Sequence, residues 1–327
     1  MKPQLKIFFT DFWSNFDFKD NIFVKLLSED FEVILDEINP HILFYSVFGV
    51  DYKKHNCIRV SFIGENLRPD FNKADFSFNF DYNDNPRNYR LPLYALWNDV
   101  YLLTKPRNPE ELVNNKTKFC NFIYSNPGPK KRIEFFEKLS KYKKVDSAGR
   151  VRNNLGYKVK DKLEFIKDYK FTLALESYNY PGYTTEKIFE PFLMGSLPIY
   201  WGNKFVDRDF NTKSFLNYNE FGSDEELIEK IIEIDNNDEL LFKYFSEPCF
   251  KDNKVNEFAS NENIKKQLLI IANYNSNLVA SNSLYFKLSP SIVKLIHSFA
   301  KIDYKTKVMI DKLKKFELSK LKFLDYK

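Results

Sequence analysis

The chain has 327 residues, including 34 Phe and 20 Tyr, and its 50 Lys and Arg against 45 Asp and Glu give a net charge of +5. That length supplies one large or two ordinary domains with a sizeable core, and no uninterrupted apolar run reaches the ~20 residues that a membrane helix needs. The whole charge excess sits in residues 301–327, with nine Lys and four acids; the first 300 residues balance at 41 basic and 41 acidic, which argues against a basic groove for nucleic acid.

The N-terminus, "MKPQLKIFFTDFWSNFDF", lacks the basic and apolar regions and the small-residue cleavage site of a signal peptide, so a cytoplasmic chain is expected. In the first third, "LKIFFTDF", "FEVIL", "HILFYSV", "IRVSFIG" and "ADFSFNF" read as strands, with the amphipathic helix "DNIFVKLLSED" between the first two. Residues 97–119 lose this periodicity and carry two prolines, which places a linker over 105–119. A second alternation follows. "CNFIYSN", "KKVDSAG", "KFTLALES" and "SLPIYWG" read as strands, and "RIEFFEKLSKY", "DKLEFIKDY", "TEKIFEPFLMG", "SDEELIEKIIEI" and "NDELLFKYFSEP" as helices. The pattern predicts an α/β fold with parallel sheets: one Rossmann-like domain over 1–104, a second over 120–300, and a helical tail over 301–327. Cys57, Cys120 and Cys249 lie far apart and read as buried free thiols of a reducing compartment; His41, His55 and His297 show no metal-ligand spacing.

In open α/β sheets, ligands gather at the carboxyl ends of strands, where the next helix begins. The stretch "GYTTEKIFEPFLMG" occupies such a place after the strand at 170–177. Thr184 or Thr185 supplies an N-cap and Glu186 suits the positive end of the helix dipole. Lys187 opposes that dipole, and an anion at the helix mouth would offset the cost. A capped surface helix and an anion site both explain the stretch by itself. Two further mouths, "YSNPGPKKR" with Ser125, Asn126 and Arg132, and "GRVRNN" with Arg152, favour a phosphate-bearing, nucleotide-type ligand, although no Walker or GxGxxG motif is present.

These segments resemble glycosyltransferase family 10, the α-1,3/1,4-fucosyltransferases. "FTLALESYNYPGYTTEKIFEPFLMGSLPIYWG" is similar to the family signature, "SFIGENLRPDFNKADFSFNFDY" to its acceptor-side motif around G-E-N, and "FIYSNPGPKKRIEFFEKLSKYKKVDSAG" to its S-N-x-R block. The resemblance spans about residues 4 to 270. It implies a GT-B fold with two Rossmann-like domains facing a cleft: the N-terminal domain would bind the acceptor and the C-terminal domain GDP-β-L-fucose. It also implies inverting transfer with no required cofactor and no strict need for metal. Carried over by position, Glu65 matches the general base. Ser125, Asn126, Arg132, Ser177, Tyr183, Glu186 and Lys187 match the donor site, with Arg152 a further candidate. The family's F-E-N is Leu175-Glu176-Ser177 here, so Ser177 lacks an amide.

The chemistry asks for these residue types. An attacking hydroxyl must lose a proton to a carboxylate, a departing diphosphate needs cations and helix amides, and an oxocarbenium-like sugar is stabilised by a carboxylate such as Glu186. The competing reading is a non-catalytic sugar-nucleotide or membrane-surface protein that keeps the fold. Asp207 and Asp209, in "DRD", would be metal ligands in a different glycosyltransferase architecture and read here as loop charge. In the tail, Ile302, Met309, Leu313, Phe316 and Phe323 form an apolar stripe among lysines. It fits an anionic membrane surface or packing on the body equally well. The expected partners are therefore GDP-fucose, an oligosaccharide or lipopolysaccharide acceptor, and peripherally a membrane face.

Overall fold

The computed structural model describes residues 1–97, 99–275, 278 and 280; the expected tail helix over 301–327 lies outside the described residues. An N-terminal sheet holds β1 Gln4–Thr10, β2 Glu32–Leu35, β3 Ile42–Tyr45, β4 Ile58–Phe62, β5 Phe76–Asn79 and β6 Asn88–Arg90. Its order is β2-β1-β3-β4-β5-β6, parallel throughout. A C-terminal sheet holds β7 Lys118–Phe122, β8 Val145–Ser147, β9 Tyr169–Leu175, β10 Leu197–Trp201 and β11 Leu216–Asn217. It is also parallel, in the order β11-β10-β9-β7-β8. The helices are α1 Ile22–Leu27, α2 Leu93–Trp97, α3 Pro109–Asn114, α4 Lys130–Leu139, α5 Lys162–Ile166, α6 Glu186–Leu193, α7 Asp224–Asp235, α8 Asp238–Ser246 and α9 Asn261–Ala272. Two parallel-sheet α/β units joined in this way are the GT-B arrangement.

Parallel strands are covered on both faces, so their residues are apolar without alternation. All four residues of β3 and all four of β5 are buried. The abundance of phenylalanine is spent here: Phe9 stacks on Phe44 at 5.2 Å between ring centroids, and Phe23 of α1 stacks on the same ring at 4.8 Å. The stretch 105–119 carries α3, capped by the Asn108 side chain, and the first residues of β7. One apolar core runs from the N-terminal sheet through Ile188, Phe189 and Phe192 of α6 to Phe210 and Phe250, and a second lies around β7, β9 and β10. The chain then returns. Helix α9 packs on α1, where Lys265 pairs with Glu29 and Asp30.

Helix α6 is fixed at both ends. Thr185 is its N-cap, accepting from Lys187 N at 3.4 Å, while Thr184 turns elsewhere. At the other end Gly195 adopts φ +63°, where an added Cβ would stand 2.4 Å from Leu112 Cδ2. The bonds Gly195 N to Phe192 O (3.1 Å) and Ser196 N to Pro191 O (2.9 Å) complete a Schellman closure. Lys116 donates to Met194 O at 3.2 Å and also to Lys167 O, a cation at the negative helix end.

Candidate active site

At the carboxyl ends of the neighbouring strands β7 and β9, between the starts of α4 and α6, lies a cavity of about 270 Å³. Its lining includes Ser125, Asn126, Arg132, Ser177, Glu186 and Lys187, so six of the residues expected for the donor site meet in one place. The α4 mouth has no side-chain cap, since Pro129 occupies that position, and Asn126 Oδ1 instead accepts from Gly128 N at 2.9 Å.

Arg132 is buried, with 2% of its surface exposed. Its Nε donates to Leu175 O (2.8 Å) and Glu176 O (3.2 Å), its Nη2 donates to Ser177 Oγ (2.8 Å), and its guanidinium lies 4.3 Å from the Tyr124 ring centroid. Ser177 therefore acts as acceptor for Arg132 where the family's asparagine would stand. Among the described residues, Arg132 makes no contact with a carboxylate. A guanidinium cannot shed its proton, and a buried charge without a counter-charge is costly. Burial pushes the neighbouring Tyr124 hydroxyl up to about 12, leaving it neutral; it accepts from Leu175 N and donates to Leu173 O, each at 2.7 Å.

The other cations of the cavity are matched. Lys187 Nζ lies 3.2 Å from Glu176 Oε2 and 3.4 Å from Glu186 Oε1, and donates to Thr185 Oγ1 at 2.9 Å. Burial opposes its charge, yet the two glutamates outweigh it and hold Lys187 above the usual lysine range. Burial pushes Glu176 up while Lys187 and two hydrogen bonds from Thr185 draw it back. Glu186 is held low: burial opposes ionisation, but Lys187 and Lys162 prevail. Lys162 pairs with Glu190, whose carboxyl is raised by burial.

Tyr183 stands behind the cavity wall, buried and edge-on to Phe80 of the N-terminal half at 4.8 Å. Burial raises its hydroxyl, with the charges of Glu176, Glu65 and Glu186 adding to the effect. Arg152 lies away from the cavity; it is half exposed, has φ +52°, and pairs with Glu137 at 2.5 Å. Glu65 follows β4 and is exposed. Its carboxylate has no hydrogen-bond or ion-pair partner among the described residues. It borders a second cavity of about 180 Å³ whose other walls are Trp13, Ser46, Phe48, Gly64 and Leu93, largely apolar. Trp13 and Phe48 meet edge to face at 6.4 Å, and Phe48 is 55% exposed.

The reading of Asp207 and Asp209 as loop charge holds for one of them only. Asp207 is exposed and pairs loosely with Lys251 at 3.7 Å. Asp209 is buried and takes a bidentate ion pair from Arg90 of β6, so it is committed to structure. No group of three or more His, Cys, Asp or Glu suited to a metal occurs among the described residues. Likewise, no helix among them is long and apolar enough to cross a membrane. The three cysteines are buried and free. Sequence reasoning missed Glu176 as the counter-charge of Lys187, the Lys162–Glu190 pair at the cavity floor, and Arg90. No spacing rule marks Glu176, which stands nine residues before its hydrogen-bond partner Thr185 across a folded-back loop, and nothing local marks Arg90.

Comparison with known proteins agrees with this fold. Residues 7–97 match the alpha-(1,3)-fucosyltransferase FucT N-terminal domain, and residues 113–277 match the glycosyltransferase family 10 (fucosyltransferase) C-terminal domain. The chain is 34% identical over 274 residues to the alpha-(1,3)-fucosyltransferase FucT of Helicobacter pylori, covering 70% of this chain and 57% of that one. It thus spans little more than half the length of that relative. A solved alpha1,3-fucosyltransferase with GDP superimposes with a TM-score of 0.74 at 29% identity, covering 86% of this chain and 93% of that one. One solved with GDP-fucose gives 0.72 at 28%, covering 85% and 93%. Both halves of the chain and their order are accounted for, and the chain belongs to glycosyltransferase family 10, the fucosyltransferases.

Proposed function

We propose that the protein transfers L-fucose from GDP-β-L-fucose to a GlcNAc- or N-acetyllactosamine-type acceptor in α-1,3 linkage, with inversion at the anomeric carbon. The observation that carries this reading is Arg132, a buried cation on a cavity wall whose described partners are all neutral. A diphosphate supplies the missing charge. Ser125, Asn126 and the uncapped start of α4 lie beside it, and Lys187 remains charged against its two glutamates. Glu186, held ionised, suits the positive charge that develops on the fucosyl ring.

On the other side, Glu65 takes the proton of the attacking hydroxyl as the new C1–O bond forms and the bond to the GDP β-phosphate oxygen breaks. Inversion of a β-linked donor gives the α product. Negative charge accumulates on GDP, where Arg132 and Lys187 are already in place and need no reorganisation. The apolar walls around Glu65 fit the C–H face of a pyranose acceptor, with Trp13 and Phe48 as ring platforms. A cytoplasmic location, with contact to anionic lipid through the lysine-rich stretch 301–327, belongs to the same proposal. Sedimentation with anionic vesicles of the full chain against one ending at Ala300 tests that part.

The decisive assay incubates the protein with GDP-fucose and N-acetyllactosamine and follows GDP release and product mass. Fucosylated product is expected, and activity should persist in EDTA. GDP-mannose serving in place of GDP-fucose, or binding of GDP-fucose with no transfer to any glycan, would overturn the assignment, the latter in favour of a non-catalytic binding protein.

A further inference from the structure

A buried polar cluster ties the two sheets together at the segment that leads into α6. Arg90 Nη1 and Nη2 donate to Asp209 Oδ1 and Oδ2 at 2.7 and 2.8 Å. The same Nη2 donates to Gly182 O at 2.9 Å, and Nε donates to Phe80 O at 3.3 Å. Thr184 Oγ1 donates to Asp209 Oδ2 at 2.7 Å, and Tyr94 OH donates to Oδ1 at 3.1 Å. Asn203 closes the ring: its Nδ2 donates to Thr184 Oγ1 at 3.0 Å and its Oδ1 accepts from Gly182 N at 2.7 Å. Gly182 has φ +88°, and a Cβ there would meet Phe80 O at 2.0 Å. Only glycine lets the loop approach the N-terminal sheet this closely.

Adhesion does not require these charges. An apolar core already spans both halves, and buried ion pairs are often no better than apolar replacements for stability. A bidentate guanidinium–carboxylate pair adds direction: it fixes distance and angle together. The segment it fixes continues into Thr185, whose N and Oγ1 donate to Glu176 Oε1, and then into Glu186 and Lys187 on the cavity wall. On the other side, β6 pairs with β5 and β5 with β4, the strand that leads to Glu65.

We propose that Arg90 and Asp209 are positioning residues for transfer: through Thr184 they hold loop 182–185, and with it the Glu186 and Lys187 side of the donor cavity, in register with the sheet that carries Glu65. This rests on the proposed function. Ser125, Asn126, Arg132 and Ser177 are held from β7, α4 and β9 without passing through the cluster, so GDP binding by these groups survives its loss. Lys187, already paired with Glu176 and Glu186 at rest, meets chiefly the charge that develops as GDP departs, so transfer does not survive.

Thr184→Val keeps side-chain shape and leaves the Arg90–Asp209 pair in place; Thr184→Ser keeps the hydroxyl. In the ligand-free protein, hydrogen exchange of amides 182–187 should rise at least tenfold in Thr184→Val while β9 and α4 amides are unchanged. The GDP Kd should stay within about threefold of wild type, kcat for fucose transfer should fall at least tenfold, and Thr184→Ser should restore both exchange and kcat. Asp209→Asn should show the same pattern more strongly if it folds; if it does not, the Thr184 pair decides. Wild-type exchange and kcat in Thr184→Val would overturn the proposal, as would a kcat loss matched by an equal loss of GDP affinity. If the wild-type protein transfers no fucose, the proposed function fails, and unchanged exchange in Thr184→Val then overturns the tether by itself.

Discussion

Arg90 and Arg132 are both buried guanidiniums, 4% and 2% exposed, and they have opposite surroundings. Arg90 meets Asp209 through two short bonds and donates twice more to backbone carbonyls. Arg132 has carbonyls, a hydroxyl and a ring face, but no described carboxylate. Lys116 marks a third case. It too is buried with carbonyl partners, and burial, against the pull of Asp168, lowers its pKa to about 8. Lysine can relieve such a site by losing its proton, whereas arginine cannot. The contrast separates a finished charge from an unfinished one: Arg90 is complete within the protein, and Arg132 is complete only with an anion. The carboxylates divide in the same way, with Asp209 fully engaged and Glu65 without a described partner.

On that division, substitutions at finished charges cost folding stability, with any loss of turnover following through the segments they hold, whereas those at unfinished charges spare stability and act directly on ligand or turnover. The largest effect is expected at Glu65. Glu65→Gln should reduce turnover by roughly 10²–10⁴-fold with GDP affinity nearly unchanged. Steady-state kinetics with calorimetry checks this, and near-normal turnover would remove Glu65 from the chemistry. Next, Arg90→Ala leaves Asp209 buried and uncompensated and should cost about 3–5 kcal/mol of folding stability, measured by denaturant unfolding. A loss below about 1 kcal/mol would erase the distinction between the two arginines.

Lys116 gives a smaller, pH-dependent effect. Its folded pKa lies below the unfolded value, so the fold disfavours the charged form, and the penalty is fully present below about pH 8. Stability should therefore rise as pH climbs from about 8 towards 10.5, where the unfolded chain also loses the proton. Relative to Lys116→Met, the wild-type protein should gain on the order of 3 kcal/mol across that window. Parallel stability curves for the two proteins would contradict the assignment.

Much of this was legible in the sequence, for reasons that can be named. Strands β3, β4, β7 and β9 are short apolar runs bounded by turns, and helices α4, α6 and α7 have clear apolar faces. Because ligands in such folds meet the strand ends, locating β7 and β9 also located Ser125, Asn126, Arg132 and Lys187, whereas Ser177 and the donor-side role of Glu186 came only with the resemblance to glycosyltransferase family 10. What remained hidden depends on pairs distant in the chain. Arg90 and Asp209 are 119 residues apart, so "DRD" looked like surface charge. β6 has three residues, too few for a period to show. The neutralisation of Lys187 by Glu176 needs the loop between them folded back on itself, which no spacing rule encodes. Thr184 and Thr185 were interchangeable as caps in sequence; the structure separates them, one to Asp209 and one to the helix.

The central claim is that Arg132 lacks its counter-charge until a diphosphate binds, and GDP titration into wild type and Arg132→Ala tests it directly when combined with thermal melts of both ligand-free proteins. The account predicts that Arg132→Ala weakens GDP binding by about 1.5–3 kcal/mol, the scale of a lost charge-assisted contact, while ligand-free stability stays within about 1 kcal/mol of wild type. Equal GDP affinity in the two proteins, or an Arg132→Ala protein that loses stability as Arg90→Ala is expected to, would contradict it.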